Sequence, residues 1–416
     1  MSDLLWPGDA RAGDLCSDAS VLDALVRVEA AWLRTLLAYG IADAADDLRD
    51  LVGPADLPAL ARDAEAGGNP VIPLLALLRE RLSDRDKAAA AWLHRGLTSQ
   101  DVLDTGLVLV LRDAAGQIRT DLAAQITVLA ALADEHRATP MAGRTLTQHA
   151  VPITFGLKAA GWLTGLLDAR DTLAAAADLP IQLGGAAGSL AAPRALRRHA
   201  APPAGDRAED LVAATAAALG LPAREPWHTA RAPLTRFGDA LVTATDAWGR
   251  IANDVLTGSR PEIGELSEAT GGGSSAMPNK RNPVLAVLVR RAALAAPPLA
   301  ATLHTAAASM VDERPDGAWH VEWPTLRTLA RRTVVAGSQT TDLLTGLRVH
   351  PDRMAATLAA ARPGIDAEQR RIAPDDHGPY RGDTDRIIDT VLTRADAGKA
   401  DPGTNKTGAD EEEPTC

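Results

Sequence analysis

Apolar residues recur at helical spacing along most of the chain. Over residues 19–40 they fall three and four positions apart, which predicts a helix, and similar patterns predict helices over 55–66 and 70–83. From Ser99 onward, Leu and Ile recur every three or four residues as far as Pro140. This longer pattern predicts one helix of roughly 38 residues, about 57 Å long at 1.5 Å per residue.

Four more long segments carry the same apolar periodicity. They cover residues 153–178, 234–258, 283–308 and 323–347. The third contains Pro297 and Pro298, which we expect to kink or break its helix because proline lacks the backbone N–H donor. Helices of this length exceed the usual three turns, so the sequence predicts an all-α fold built on a long-helix bundle.

The pattern divides the chain into three helical regions and a tail. We predict an N-terminal helical domain over 1–98, a central long-helix bundle over 99–348, a short C-terminal helical region over 349–395 and a disordered tail over 396–416. The tail is assigned as disordered because it has almost no apolar residues to bury. Within the central bundle, residues 264–283 form what we call the glycine-rich loop.

Composition supports helix and argues against other classes of protein. Aromatic residues make up only 3% of the chain, which disfavours a β-sandwich. The two cysteines, Cys16 and Cys416, provide no disulfide framework or structural metal site and suit a reducing cytosol. The first residues lack a signal-peptide pattern, and no uninterrupted apolar run reaches the ~18 residues of a membrane span. We therefore expect a cytoplasmic protein that contacts no membrane.

Charge restricts the partners that the protein can bind. The formal net charge of −11 disfavours nucleic acid as a ligand. An anionic small molecule must therefore be held by a local group of cations and N–H donors. Nothing in the sequence indicates a metal or an organic cofactor, and we expect none.

The first of three polar segments is HRGLTSQDVLDTG, residues 94–106. Thr98 or Ser99 can cap the long helix, and Asp101 places a favourable charge in its first turn. Helix capping alone would account for these residues. The density of polar side chains beside free backbone N–H groups also suits the binding of a carboxylate.

The second segment is AGRTLTQHAVPITFG, residues 142–156. Gln148 and His149 precede Pro152, which we predict as the first residue of the next helix. The polar side chains of Gln148 and His149 and the free amide groups of the helix N-terminus would then lie together and face the same ligand. A lone histidine in such a position can equally be structural.

The third segment is GGGSSAMPNKRNPV, residues 271–284, within the glycine-rich loop. Ser274, Lys280 and Asn282 provide a hydroxyl, a cation and a carboxamide on flexible backbone. A charged surface loop is the alternative interpretation. Because the three segments lie far apart in sequence, no local structure explains all of them, whereas a shared active site does.

The motifs in these segments resemble the fumarase/aspartase superfamily. GSSAMPNKRNP at 273–283 is similar to the third conserved region of that superfamily, and TSQDVLDTG and GRTLTQHAVP are similar to the first and second, in the same order. Within the superfamily the sequence most resembles the bacterial 3-carboxy-cis,cis-muconate cycloisomerases, through stretches such as HRGLTSQDVLDTG, EPWHTARAPL and ERPDGAWHVEW. The resemblance runs from about residue 14 to 350.

This resemblance implies a fold, an assembly and an activity. It implies a homotetramer whose long helices form a shared central bundle, with each active site built from three subunits around a small polycarboxylate substrate. It further implies cyclisation of 3-carboxy-cis,cis-muconate to a carboxymuconolactone, a step of protocatechuate degradation. The C-terminal helical region is shortened relative to the family.

The resemblance also assigns roles to individual residues. Ser274 matches the catalytic acid/base on the mobile loop, Lys280 matches a group that stabilises the charged intermediate, and His149 is a candidate general acid. The substrate-binding positions are His94, Thr98, Ser99, Gln148, Arg231, Ser275, Met277, Asn282 and Arg314. A neutral serine is a poor base, so cations and backbone N–H groups must stabilise its alkoxide. The loop is then a lid that brings the serine to the substrate.

One position departs from many lyases of the superfamily. They carry a histidine directly after the Arg-Thr of the second motif, where this chain has Leu146. An amine or hydroxide needs a proton donor in order to leave, whereas a carboxylate with a pKa of about 4 leaves unaided. Leu146 therefore disfavours fumarase, aspartase, argininosuccinate or adenylosuccinate chemistry and favours lactonisation.

Two alternatives to the cycloisomerase remain open. The first is a lyase that removes a weakly basic group from a substituted succinate, such as nitrite from nitrosuccinate, because Leu146 suits this reaction equally well. The second is a helical superfamily member that has lost catalysis. The altered stretch HTARAP and the shortened C-terminal region motivate it, whereas the joint presence of Ser274, Lys280 and Asn282 argues against it.

Overall fold

A computed structural model describes residues 3–198, 207–372 and 380–397. Its α-helices are α1 (Asp18–Ala38), α2 (Leu57–Gly67), α3 (Val71–Arg85), α4 (Lys87–Trp92), α5 (Ser99–Glu135), α6 (Phe155–Ala176), α7 (Ala191–Arg198), α8 (Ala208–Leu219), α9 (Ala232–Gly258), α10 (Val284–Ala308), α11 (Gly317–Thr345), α12 (Pro351–Ile372) and α13 (Thr384–Ala397). Four short strands are β1 (Pro140–Thr145), β2 (Gln148–Thr154), β3 (Leu266–Glu268) and β4 (Leu347–Val349). The predicted all-α fold is confirmed.

The five long helices α5, α6, α9, α10 and α11 form the central bundle. α9 packs on α10 and α6, and α11 packs on α10 and α5. Trp248 is fully buried between them and donates its indole N–H to Gln125 Oε1 at 2.7 Å. Leu, Ile, Val and Ala fill the rest of the interface, as the helical periodicity predicted.

Pro297 and Pro298 were expected to kink or break their helix, and they do not break it. α10 is continuous over its 25 residues, with both prolines inside it. The two prolines remove the hydrogen-bond donors for the carbonyls of Ala293 and Leu294. Leu294 is exposed, so its carbonyl lies on the outer side of the helix where water can satisfy it. By length and composition alone α10 could span a membrane, yet its inner face packs in the bundle core.

The second polar segment forms a hairpin that the periodicity did not predict. β1 and β2 pair antiparallel, with Thr145 opposite Gln148. Leu146 and Thr147 form the two-residue turn with φ values of 46° and 73°, which matches the twist of a tight hairpin. Pro152 lies in β2, so the prediction that it begins the next helix is wrong. Thr154 instead caps α6 by accepting the Leu157 N–H at 3.1 Å.

The chain after the bundle is more helical than the sequence pattern indicated. α12 has 22 residues where a short piece was expected, and it packs against β1. β3 and β4 pair antiparallel and join the start of the glycine-rich loop to the end of α11. Of the predicted disordered tail, Asp396 and Ala397 belong to α13, and the rest lies outside the described residues.

Arg231 lies in a buried ion cluster at the start of α9. Its side chain is fully buried and contacts two carboxylates: Nη1 donates to Asp104 at 2.7 Å and Nη2 donates to Glu322 at 2.7 Å. Asp104 also accepts the Trp319 indole N–H at 2.9 Å and the Gln100 amide at 3.2 Å. Burial opposes the charge on the guanidinium, but Asp104 and Glu322 raise the pKa of Arg231 above its usual value. Burial raises the pKa of Glu322 despite the neighbouring cation.

We expected Arg231 to bind a substrate carboxylate, and the structure instead places it among carboxylates of its own chain. Its Nε atom is also engaged, donating to both oxygens of Glu322 at 3.0 and 3.1 Å. No donor is left exposed to a ligand, because the side chain is 0% exposed. The cluster therefore has a structural role: it fixes α5, α9 and α11 relative to one another.

Removal of Arg231 should destabilise the fold strongly. In Arg231→Met, Asp104 and Glu322 lose their buried counter-charge, so we expect the free energy of unfolding to fall by about 3–5 kcal/mol. Urea denaturation followed by circular dichroism measures the change. Arg49→Met is the matched control, since Arg49 pairs with Asp47 on the surface, and it should leave the urea midpoint near that of the wild type. Equal midpoints for the two variants would contradict a structural role for the cluster.

Candidate active site

Thr98 and Arg314 meet at the N-terminus of α5, although they lie 216 positions apart in sequence. Arg314 Nη2 donates to Thr98 Oγ1, and the same nitrogen lies 3.1 Å from the Ala186 carbonyl oxygen. Ser99 is the half-buried first residue of α5. The end of the bundle thus carries a cation, two hydroxyls and the first amides of a long helix. These groups suit an anionic ligand.

Asp101 organises this end of the bundle. It is 1% exposed and accepts N–H groups from Thr98 at 3.0 Å, Gly184 at 2.8 Å and Gly185 at 3.0 Å. His228 Nε2 lies 3.4 Å from the same carboxylate. A Cβ atom on Gly184 would lie 2.9 Å from His228 Nε2, so only glycine fits there. From the sequence alone, Asp101 was predicted only to place a favourable charge at the start of the helix. His228 was not predicted as a functional residue.

His94 lies in the turn before α5. Its Nδ1 is 2.6 Å from Glu29 Oε1 in α1, and its side chain is 14% exposed. The backbone of His94 is in the left-handed region, with φ of 64°. Four of the predicted residues therefore belong to the end of the bundle where α5 begins: His94, Thr98, Ser99 and Arg314.

Gln148 and His149 lie at the other end of α5, on the exposed face of the hairpin. Arg144 in β1 makes a two-point ion pair with Glu265, with both N–O distances at 2.9 Å. Glu265 is 2% exposed and directly precedes β3, so this pair joins the hairpin to the base of the glycine-rich loop. Leu146, at the tip of the hairpin, is 97% exposed.

The glycine-rich loop is closed at its base and exposed at its tip. The backbones of Gly272 and Asn282 exchange hydrogen bonds of 2.6 and 2.8 Å, and the Asn282 amide donates to the Gly273 carbonyl at 3.2 Å. Between them, Ser274 is half-buried, whereas Ser275, Met277 and Lys280 are exposed. These side chains are thus free to contact a ligand or a second chain.

Ser274 has an activating environment of its own within the loop. Its Oγ accepts the N–H groups of Ala276 at 3.3 Å and Met277 at 3.1 Å. Two amide donors on one oxygen stabilise the alkoxide form of a serine.

Distance separates the predicted residues into two groups. The 37 residues of α5 span about 55 Å at 1.5 Å per residue, with Thr98 before its first turn and the hairpin after its last. α9 and α11 run between the same two ends: α11 begins after Arg314 and ends beside Ala269 of the glycine-rich loop. One chain therefore does not bring Thr98 and Arg314 together with His149 and Ser274.

Comparison with known proteins agrees with this architecture. The sequence pattern of the Lyase family matches residues 37–296. Nitrosuccinate lyase from Streptomyces davaonensis is 48% identical over 351 residues, which cover 82% of this chain and 73% of that protein. A 3-carboxy-cis,cis-muconate cycloisomerase from Bradyrhizobium diazoefficiens is 38% identical over 417 residues, 96% of this chain and 88% of that protein.

A solved structure extends the agreement to the fold. The crystal structure of the 3-carboxy-cis,cis-muconate lactonizing enzyme from Pseudomonas putida superposes with a TM-score of 0.78 at 30% sequence identity. The match covers 94% of this chain and 97% of that one. The match of the family pattern to more than half of the sequence, the two relatives and the shared fold agree with one another. The chain belongs to the Lyase family, within the fumarase/aspartase superfamily.

Proposed function

We propose that the protein is a lyase that removes a weakly basic group from a substituted succinate, with nitrosuccinate as its substrate and fumarate and nitrite as its products. The observation that carries the proposal is Leu146 at the hairpin tip, which offers no proton to a departing group. The choice of nitrite is supported by the 48% identity to a nitrosuccinate lyase.

Ser274 takes the proton in the proposed reaction. Its oxygen, stabilised by the Ala276 and Met277 amides, removes one hydrogen from the CH₂ carbon of nitrosuccinate as a proton. The C–H electron pair moves into the adjacent carboxylate, which becomes doubly negative, and Lys280 stabilises this charge. The pair then forms the C=C bond of fumarate as the C–N bond breaks and nitrite leaves with the C–N electrons. Ser274 later releases the proton to solvent.

The leaving group decides which proton donor the site needs. Nitrite, like a carboxylate, is the conjugate base of a fairly strong acid, so it departs without being protonated. An amine or a hydroxide would require an acid at the hairpin tip. His149 is three residues beyond Leu146 and remains our candidate for any such role, with Gln148 beside it as a substrate contact.

We further propose that each site is shared between copies of the chain in a homotetramer. Thr98, Ser99, His94 and Arg314 of one copy hold a substrate carboxylate. Ser274, Ser275, Met277, Lys280 and Asn282 come from the glycine-rich loop of another copy, and the hairpin of a third copy completes the site. The support is the separation of about 55 Å along α5, which one chain cannot close.

The cycloisomerase is the second candidate. It is favoured by the match to the Bradyrhizobium diazoefficiens cycloisomerase over 96% of this chain. In that reaction the carboxylate of the substrate is itself the nucleophile, so Leu146 is equally compatible with it. Ser274 would then exchange the carbon-bound proton as the lactone ring closes.

Purified protein should convert nitrosuccinate to fumarate and nitrite in equal amounts. Fumarate is measured by ultraviolet absorbance and nitrite by a diazo dye, and 3-carboxy-cis,cis-muconate is assayed in parallel through loss of its diene absorbance. Faster turnover of the muconate than of nitrosuccinate would show that the protein is a cycloisomerase and would contradict the proposed elimination. Turnover of neither would favour a non-catalytic protein.

Substitution of the proposed base should abolish turnover of either substrate. We expect Ser274→Ala to lower kcat by at least about 100-fold, because a positioned base contributes about 10²–10⁴ in rate. Ser309→Ala, at an exposed serine after α10, is the matched control and should keep wild-type activity. Near-full activity in Ser274→Ala would show that another group takes the proton.

If each site is shared between chains, combining two inactive variants in one tetramer should restore part of the activity. When Ser274→Ala and Arg314→Ala chains are co-expressed in equal amounts, about a quarter of the sites receive an intact loop from one chain and an intact Arg314 from another. We therefore expect about a quarter of wild-type activity in the mixture. Co-expression of Ser274→Ala with Lys280→Ala is the control, because every loop then carries one defect and activity should stay absent. Equal results in the two mixtures would refute sharing between chains.

A further inference from the structure

Glu29 is a buried carboxylate that the proposed reaction does not yet use. It lies in α1 with 0% exposure, among the apolar residues that pack this helix against α5. Its Oε1 lies 2.6 Å from His94 Nδ1, and its Oε2 has no hydrogen-bond partner within the described part of the chain. Burying a carboxylate costs free energy unless it is paired. The sequence periodicity alone would place an apolar residue at this position.

The pairing determines how the imidazole of His94 is oriented. A carboxylate only accepts hydrogen bonds, so the proton in this contact belongs to His94 Nδ1. The outer nitrogen, Nε2, is then the atom left for a ligand, and it donates a hydrogen bond to an anion when it carries a proton as well. It makes no hydrogen bond to any residue in the described ranges, and the ring keeps 14% exposure.

The backbone holds His94 beside the N-terminus of α5. Its carbonyl accepts the Leu97 N–H at 3.3 Å, which closes a turn that ends at Thr98. The Arg95 carbonyl in the same turn accepts the Trp32 indole N–H at 2.7 Å, and Trp32 is itself buried in α1. Two contacts from α1 therefore fix this turn: one through the Arg95 backbone and one through the His94 ring.

We infer that Glu29 is the positioning residue for His94: it accepts the Nδ1 proton and so directs the Nε2–H donor of the doubly protonated ring at a carboxylate of the substrate at the α5 end of the site. This inference rests on the proposed function for the identity of the substrate. Glu29 does not touch the substrate itself and acts through His94. The same logic operates where a carboxylate orients a metal-binding histidine and loss of the carboxylate costs 10–100-fold in activity.

A double-mutant cycle in the full-length protein tests the inference. The variants are Glu29→Met, which has no acceptor oxygen, His94→Gln and the two combined, assayed on nitrosuccinate. We expect Glu29→Met to lower kcat/KM by about 10–100-fold and to cause no further loss once His94 is replaced, because both changes remove one interaction. Equal losses in the presence and absence of His94 would overturn the inference, since Glu29 would then act by some other route.

A spectroscopic measurement separates this inference from the proposed reaction. In protein labelled with ¹⁵N-histidine, the imidazole signal that disappears in His94→Gln is assigned to His94. We expect this signal to show a protonated Nδ1. That signature should change in Glu29→Met and persist in Glu29→Asp, which keeps the carboxylate acceptor and also serves if Glu29→Met does not fold. An unchanged signature in Glu29→Met would overturn the inference even if nitrosuccinate is turned over.

A second buried acid provides the matched control. Asp121 in α5 is 8% exposed and also has an oxygen without a partner among the described residues, but it lies about 33 Å along α5 from the His94 end. Asp121→Asn should leave the His94 signal and kcat/KM unchanged. If the wild type turns over neither nitrosuccinate nor the muconate, the proposed function fails. The double-mutant cycle of Glu29 and His94 is then measured on the affinity for fumarate by calorimetry. A loss at Glu29 that disappears once His94 is replaced would support the inference, and equal losses with and without His94 would overturn it.

Discussion

The length of α5 is the constraint on which the rest of this molecule depends. A helix rises 1.5 Å per residue, so its 37 residues hold two polar ends about 55 Å apart. α9, α10 and α11 follow the same axis, and their connections therefore fall at the same two ends. Polar segments concentrate there because the middle of the bundle is filled by packed apolar side chains. A rigid rod of this kind fixes precise positions at its ends but cannot bring those ends together.

Buried charge keeps each end in place. At the start of α5, Asp101 gathers backbone amides from two separate loops, and the ion cluster of Arg231 ties together three helices. At the far end, the pair of Arg144 and Glu265 joins the hairpin to β3. Buried ion pairs of this kind add little net stability compared with apolar packing, but losing one partner is costly. They therefore restrict the loops to one arrangement, as the proposed shared site requires.

The glycine-rich loop combines a fixed base with an exposed tip. Glu268 accepts the N–H groups of Leu285 at 3.2 Å and Ala286 at 2.8 Å, so an acidic residue near the start of the loop caps the helix that follows it. The bridge between Gly272 and Asn282 closes the base of the tip. Ser274 therefore lies on a short segment between this bridge and the start of α10. In the proposed reaction this position presents the base to the substrate.

The sequence by itself determined the long helices, the three polar segments and the family. Helical periodicity persists over tens of residues, and a long motif such as GSSAMPNKRNP is specific, so neither depends on distant contacts. The hairpin was missed because its pairing depends on a left-handed turn at Leu146 and Thr147, which neither residue favours. Only the tertiary structure decided that Arg231 forms ion pairs with Asp104 and Glu322. The same holds for the hydrogen bond of Arg314 to Thr98 and for the contact between Glu29 and His94. These contacts join residues 65 to 216 positions apart, and no local pattern records which charges will become neighbours when the helices pack.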